Sequence, residues 1–181
     1  MKKLGFLLSA SVILVTACIT SCKKSADINS SIQPKVDSVN NITLITYTNV
    51  KLGGSDSVLL SRGRGLAAAV SYAYRYLVGG SSSIDLIFDQ GKFWNTDPIA
   101  GNAFTGGKFL LTNLTAAEFD AVKSKTALEA YGFKATEDAV PLTAGKVIFV
   151  RTKEGYNCLV KIITLFPPSG SVTFDYKMAV L

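Results

Sequence analysis

The sequence predicts an α+β domain, in which a mixed sheet of about five strands carries two main helices and ends in a three-stranded antiparallel meander. Three observations point there. Thr115 and Glu118 form the capping-box pattern that opens a helix, Leu66, Val70, Ala73 and Leu77 recur at helical spacing, and three β-rich runs joined by short connections fill the last third of the chain.

Taken in order, residues 42–50 are rich in β-branched and aromatic side chains and lead into Gly53-Gly54, which reads as a strand and a turn. A short apolar run at 58–60 is followed by Gly63 and Gly65. The spacing then predicts a helix over 66–77, stopped by Gly79-Gly80, although Tyr72, Tyr74 and Tyr76 would suit a strand equally well. Residues 84–88 are short and apolar apart from Asp85, as expected of a strand at the centre of a sheet.

The second helix starts at Ala116, with Thr115 as N-cap and with Leu114 and Phe119 placed as a hydrophobic staple. Phe119 and Val122 give it an apolar side, and Lys123 and Lys125 fall towards its C-terminal end, where cations suit the helix dipole. The terminal strands are expected at 146–152, 156–166 and 171–181. In the last, Val172, Phe174, Tyr176, Met178 and Val180 alternate with Thr173, Asp175 and Lys177, so one face should be buried and the other wet.

The N-terminal region has a different composition. Lys2 and Lys3 precede an apolar stretch, residues 4–17, too short for a transmembrane helix, and Ile19-Thr20-Ser21-Cys22 has small residues before a cysteine with a branched aliphatic residue three positions ahead of it. This pattern resembles the bacterial lipobox. It implies a signal peptide over 1–21, lipid attachment at Cys22, a polar tether over 22–41 with a reach of about 25 Å, and one globular domain over 42–181. Val15-Thr16-Ala17-Cys18 fits the pattern too, but cleavage there would set Ile19 beside the lipid, whereas Cys22 runs directly into polar chain. Acyl chains bury about 0.8 kcal/mol per methylene, so two or three hold a protein on a membrane essentially permanently.

Composition excludes several chemistries. The chain has 181 residues, a formal charge of +6 and no histidine, which removes Ser-His-Asp and Cys-His catalysis and histidine zinc sites. Its lysines are scattered, which argues against nucleic acid. With Cys22 lipidated and Cys18 removed, Cys158 is left alone on a strand face with Val160 and Ile162, as a buried thiol and not a nucleophile. Gly63-Arg64-Gly65-Leu66-Ala67-Ala68 matches the G-x-G-x-x-A dinucleotide pattern, but antiparallel strands follow where further βα units would be needed. No nucleotide cofactor or metal is expected.

The candidate binding segment is residues 89–107, the longest stretch without periodicity, where Asp89, Phe93, Trp94, Asn95 and Asp97 sit on a glycine-punctuated loop together with Gln90 and Asn102. An indole flanked by amides and carboxylates suits a sugar ring, and the oxygens would suit calcium, but the EF-hand spacing is absent. A lid of Trp94 over the core is the alternative. Asp85 and Asp89 on one regular strand would lie about 13 Å apart, too far for a glycosidase pair.

The chain resembles a group of small uncharacterised lipoproteins, of the domain-of-unknown-function type, from Bacteroidota-type bacteria. The likeness is carried by Ser21-Cys22-Lys23-Lys24, Leu52-Gly53, Ser83-Ile84-Asp85-Leu86-Ile87-Phe88 and Thr112-Asn113-Leu114-Thr115-Ala116-Ala117-Glu118-Phe119-Asp120. It continues in Val147-Ile148-Phe149, Lys153-Glu154-Gly155-Tyr156 and Gly170-Ser171-Val172-Thr173-Phe174, and so covers most of the domain. The resemblance implies an envelope lipoprotein and supplies no catalytic residues. Surface-displayed lipoproteins of such bacteria tend to carry acidic residues after the lipidated cysteine; Lys23 and Lys24 depart from this and favour the periplasmic face of the outer membrane over the cell surface. The expected function is a non-catalytic binding or envelope-assembly module whose partner is a glycan or an envelope protein. Two alternatives stand beside it: a periplasmic hydrolase using carboxylates such as Asp89 and Asp97, and a structural module that pairs through a strand edge.

Overall fold

Antiparallel pairing accounts for every strand contact among the described residues, which in this computed structural model are 35–39, 42–54, 63–67, 69–72, 84–96, 106–166 and 170–180. The strands are β1 (Lys35–Val39), β2 (Ile42–Gly53), β3 (Gly63–Gly65), β4 (Val70–Tyr72), β5 (Leu86–Asp89), β6 (Lys92–Trp94) and β7 (Lys108–Leu111). They continue, after helices α1 (Ala116–Ala121) and α2 (Lys125–Glu129), with β8 (Ala139–Pro141), β9 (Val147–Arg151), β10 (Asn157–Phe166) and β11 (Ser171–Val180). A six-stranded sheet runs β1-β2-β11-β10-β9-β7 and a five-stranded sheet runs β4-β3-β5-β6-β8.

The expected α+β class is therefore wrong. The chain is mostly β, with two antiparallel sheets in place of one mixed sheet and two helices of 6 and 5 residues in place of two main ones. The largest misreading lies at 66–77. Its described part is a turn with Ala69 at φ 52° followed by β4, because the preceding Gly63-Arg64-Gly65 forms β3 and pairs with β4 on one side and β5 on the other. Strand pairing on both sides outweighs a helical spacing that the alternating tyrosines already contested. Residues 73–83 and the apolar run at 58–60 lie outside the described residues, as do the signal peptide, Cys18, Cys22, Lys23 and Lys24. Strand β1 comes from the stretch read as a tether and pairs with β2, so the sheet begins before Ile42.

The three terminal runs form β9, β10 and β11, and β5 lies at the centre of its sheet. Leu86, Phe88, Phe93 and Val140 from the smaller sheet meet Val150, Val160, Ile162, Phe174 and Tyr176 from the larger one in the main core. Cys158 is a free, fully buried thiol there, and burial first, then the nearby Asp85 carboxyl, pushes its pKa up.

The other face of the larger sheet packs on the helices through Leu44, Val147, Phe149, Leu159 and Ala179 against Phe119, Val122 and Leu128. The expectation of a wet face on β11 thus fails at Lys177, which is 5% exposed. Thr115 does cap α1: its hydroxyl accepts from Glu118 N at 3.2 Å, while the Glu118 carboxylate accepts from Thr115 N at 2.7 Å. Lys123 and Lys125 do not serve the end of α1, which stops at Ala121. Lys177 reaches across from β11 instead and donates to the carbonyls of Phe119, Asp120 and Val122 at 2.8, 3.2 and 2.6 Å.

Candidate functional site

The segment read as a binding loop begins as a hairpin. Asp89 pairs with Lys92, and the two residues between them, Gln90 (φ 48°) and Gly91 (φ 70°), both take left-handed backbone, the requirement of a type I′ turn. This turns the first six residues of the expected loop, 89–94, into the end of β5, a tight turn and β6. Phe93 is fully buried in the core, in edge-to-face contact with Phe88 and Phe174 at 6.5 and 5.4 Å, so it is no surface contact residue. Asp89 is also fully buried. Trp94 is half-buried; its indole N–H donates to the Asp89 carbonyl at 3.1 Å and the Lys92 ammonium lies 5.3 Å from its ring centre. Asp97 and Asn102 lie outside the described residues.

Asn95 directly follows the end of β6 at Trp94. Its backbone N–H donates to Asp138 O at 2.9 Å and its carbonyl accepts from Gly106 N at 2.6 Å. Its side-chain amide donates to Asp138 Oδ1 at 2.5 Å, and the same oxygen accepts from Lys108 Nζ. The Lys108 hydrogen bond, and then that of Asn95, hold the Asp138 carboxyl below its ordinary value. Asn95 is 1% exposed and its Oδ1 has no hydrogen-bond partner among the described residues. Amide, carboxylate and ammonium thus meet one residue along the chain from the sole tryptophan, where the two sheets come together through β6, β7 and the approach to β8.

Asp85, the one polar residue in the apolar strand sequence, is a buried junction. Its carboxylate accepts from Leu66 N at 2.7 Å and from Lys153 N at 2.8 Å, while its carbonyl accepts from Gly107 N at 2.8 Å. A Cβ on Gly106 would collide with that carbonyl, and one on Gly107 would sit 2.7 Å from Arg151 O, so both positions need glycine. Desolvation raises the Asp85 pKa to about 6, outweighing the backbone N–H groups of Lys153 and Leu66 that pull it down. Asp85 is tied up in these bonds, and Asp97, the expected partner of Asp89 in a hydrolase, lies outside the described residues. No group of three or more metal-ligating side chains occurs among the described residues.

A second polar site, missed in the sequence, lies at Arg64. The guanidinium donates to Ser71 Oγ at 2.9 Å and to the Tyr176 hydroxyl at 3.2 Å, and that hydroxyl donates to Leu66 O at 3.1 Å. Tyr47 stacks on Tyr176 with ring centres 4.6 Å apart, and the Arg64 Cζ lies 5.9 and 5.7 Å from the two rings. Burial raises the pKa of both tyrosines while Arg64 pulls it down. A bulge delivers Tyr47: Tyr47 faces Tyr176 and Val50 faces Phe174, so Thr48 and Asn49 together span the place of Asp175, with Asn49 at φ 56° donating its N–H to Asp175 Oδ1 at 2.8 Å. The only sequence signal for this site was the Gly63-Arg64-Gly65 match. It reads here as a buried strand followed by a turn to β4, with no helix N-terminus over the described part to receive a pyrophosphate.

No protein-family profile and no curated protein matches the chain. Among solved structures the fold is similar to that of a DUF4466 family protein from Parabacteroides merdae ATCC 43184, with a TM-score of 0.53 at 15% sequence identity. The similarity covers 75% of this chain and 53% of that one, so the chain spans about half the length of its neighbour. What the likeness shows is a β-rich fold shared with a domain-of-unknown-function protein of the Bacteroidota.

Proposed function

We propose that the protein is a lipid-anchored envelope protein, held at the periplasmic face of the outer membrane through Cys22, and that it acts as a non-catalytic binding module. The Ile19-Thr20-Ser21-Cys22 pattern and the cations at Lys2 and Lys3 support the anchor. The neighbour from Parabacteroides agrees with a Bacteroidota-type setting. One observation carries the binding role: buried Asn95, the residue after Trp94, keeps an amide oxygen with no partner among the described residues while its amide nitrogen joins the Lys108–Asp138 pair. Buried polar atoms are nearly always satisfied, and an acceptor, a carboxylate and an ammonium gathered at the residue that adjoins an indole in the chain suit the hydroxyls and apolar face of a sugar.

Trp94 is a built-in reporter. Its emission, titrated with a glycan panel and with calcium, should shift saturably with a glycan, and Asp138→Ala should abolish the shift. Emission that no ligand moves would remove this site and leave an envelope protein as the partner to seek. The anchor has its own test: Cys22→Ala should release the protein from membranes, whereas continued uptake of labelled palmitate would move the attachment to Cys18.

A further inference from the structure

We infer that Arg64, with Ser71 and Tyr47, receives the carboxylate of a ligand at a site separate from Trp94. Arg64 is 4% exposed and carries a permanent charge, yet among the described residues no carboxylate pairs with it and its Nε has no hydrogen-bond partner. A buried charge without a counter-charge is costly, and proteins ordinarily pair it or use it. A guanidinium has more N–H donors than the two that Ser71 and Tyr176 take up, and its planar fork matches the two oxygens of a carboxylate.

The surroundings fit an anion. Tyr47 and Tyr176 flank the guanidinium and hold its orientation, and the Tyr176 hydroxyl is already committed to Leu66 O. The Tyr47 hydroxyl makes no hydrogen bond among the described residues, so it is a further donor for an incoming oxygen. Ser71 is half-buried and lies on β4, the outermost strand of the smaller sheet among the described residues, and this is the side from which a ligand would reach the guanidinium. The Asp85 carboxylate is no substitute counter-ion, because it is already spent on Leu66 N and Lys153 N. A carboxylate of this kind occurs on an acidic sugar and at a peptide terminus.

The test uses the full-length chain in detergent, with sodium glucuronate and sodium N-acetylalaninate as probes. Glucuronamide serves as the uncharged control, and chloride keeps ionic strength constant. The carboxylates should raise the melting temperature saturably and show heats of binding, while the amide does neither. Arg64→Lys, which keeps the charge and loses the fork, should weaken binding about tenfold or more. Ser71→Ala and Tyr47→Phe, which leave Arg64 in place, should each weaken it about threefold. Tighter binding of glucuronate would identify an acidic sugar, and of N-acetylalaninate a chain terminus. Equal behaviour of carboxylate and amide, or unchanged binding in the well-folded Ser71→Ala and Tyr47→Phe variants, would overturn the inference. It shares the binding role proposed above but not its place: a silent Trp94 with a positive Arg64 result would reject only the former site.

Discussion

The two faces of the six-stranded sheet each cover a buried cation, Lys177 from its own β11 and Arg64 from β3 of the smaller sheet, and they treat it in opposite ways. On the helix side, Lys177 spends its ammonium on three backbone carbonyls at the end of α1, where a cation is favoured by both hydrogen bonding and the local dipole. On the side of the second sheet, the guanidinium of Arg64 meets two hydroxyls and two aromatic rings, with an N–H left over. The difference separates structure from recognition. A cation whose donors all end on its own chain holds that chain together, whereas one with donors to spare is fitted for something that comes and goes.

The largest expected effect tests whether the inter-sheet face depends on shape. Phe93→Ala should cost about 3–5 kcal/mol in denaturant unfolding, as for a large ring removed from a packed interior. A loss below about 1 kcal/mol would return Phe93 to the role of a surface contact.

Next comes Asp85. A carboxyl whose folded value, about 6, exceeds its unfolded value of 3.8 takes up a proton on folding between those limits. Its contribution to stability is therefore full below about pH 4 and is lost as pH rises through about 6, by about 3 kcal/mol in total. Unfolding free energy measured between pH 4 and 7.5 should fall accordingly in the wild type, and the slope should flatten in Asp85→Asn.

On the helix face the terms are smaller. Lys177→Met keeps the volume but strips the donor from three carbonyls, and should cost about 2 kcal/mol and speed amide exchange in α1. If the variant is unchanged, the contrast between the two cations fails. Thr115→Ala removes the N-cap and should cost about 1 kcal/mol, measured the same way.

What could be read from the sequence was what is decided locally. Thr115 and Glu118 are three residues apart and cap the helix they announce, and the alternation along β11 sends Val172, Phe174, Tyr176 and Met178 into the core. The failures arose where distant segments decide. Leu66 and Val70 have helical spacing, but β3 is claimed by β4 and β5. The wet face of β11 is covered because α1, from elsewhere in the chain, lies over Lys177. The Gln90-Gly91 turn was legible in principle, since Gly91 suits a left-handed position, but Gln90 is an unusual residue there and hid the hairpin. Of the proposed site residues, Phe93 and Asp89 proved to be buried, Trp94 is half-buried, Asn95 is buried against Asp138, and the signal at Arg64 was masked by glycines that resembled a different motif.

The pairing of β2 with β11 sets an order of events. Gly53 lies opposite Ser171 and Thr43 opposite Val180, so the middle of the larger sheet joins an early strand to a late one. Ending a growing chain anywhere before β11 leaves β2 without its inner neighbour and the core without Phe174 and Tyr176. Such distant pairing must close a long loop before it is rewarded, which slows folding. A chain emerging from the ribosome therefore cannot complete the larger sheet until β11 has been made.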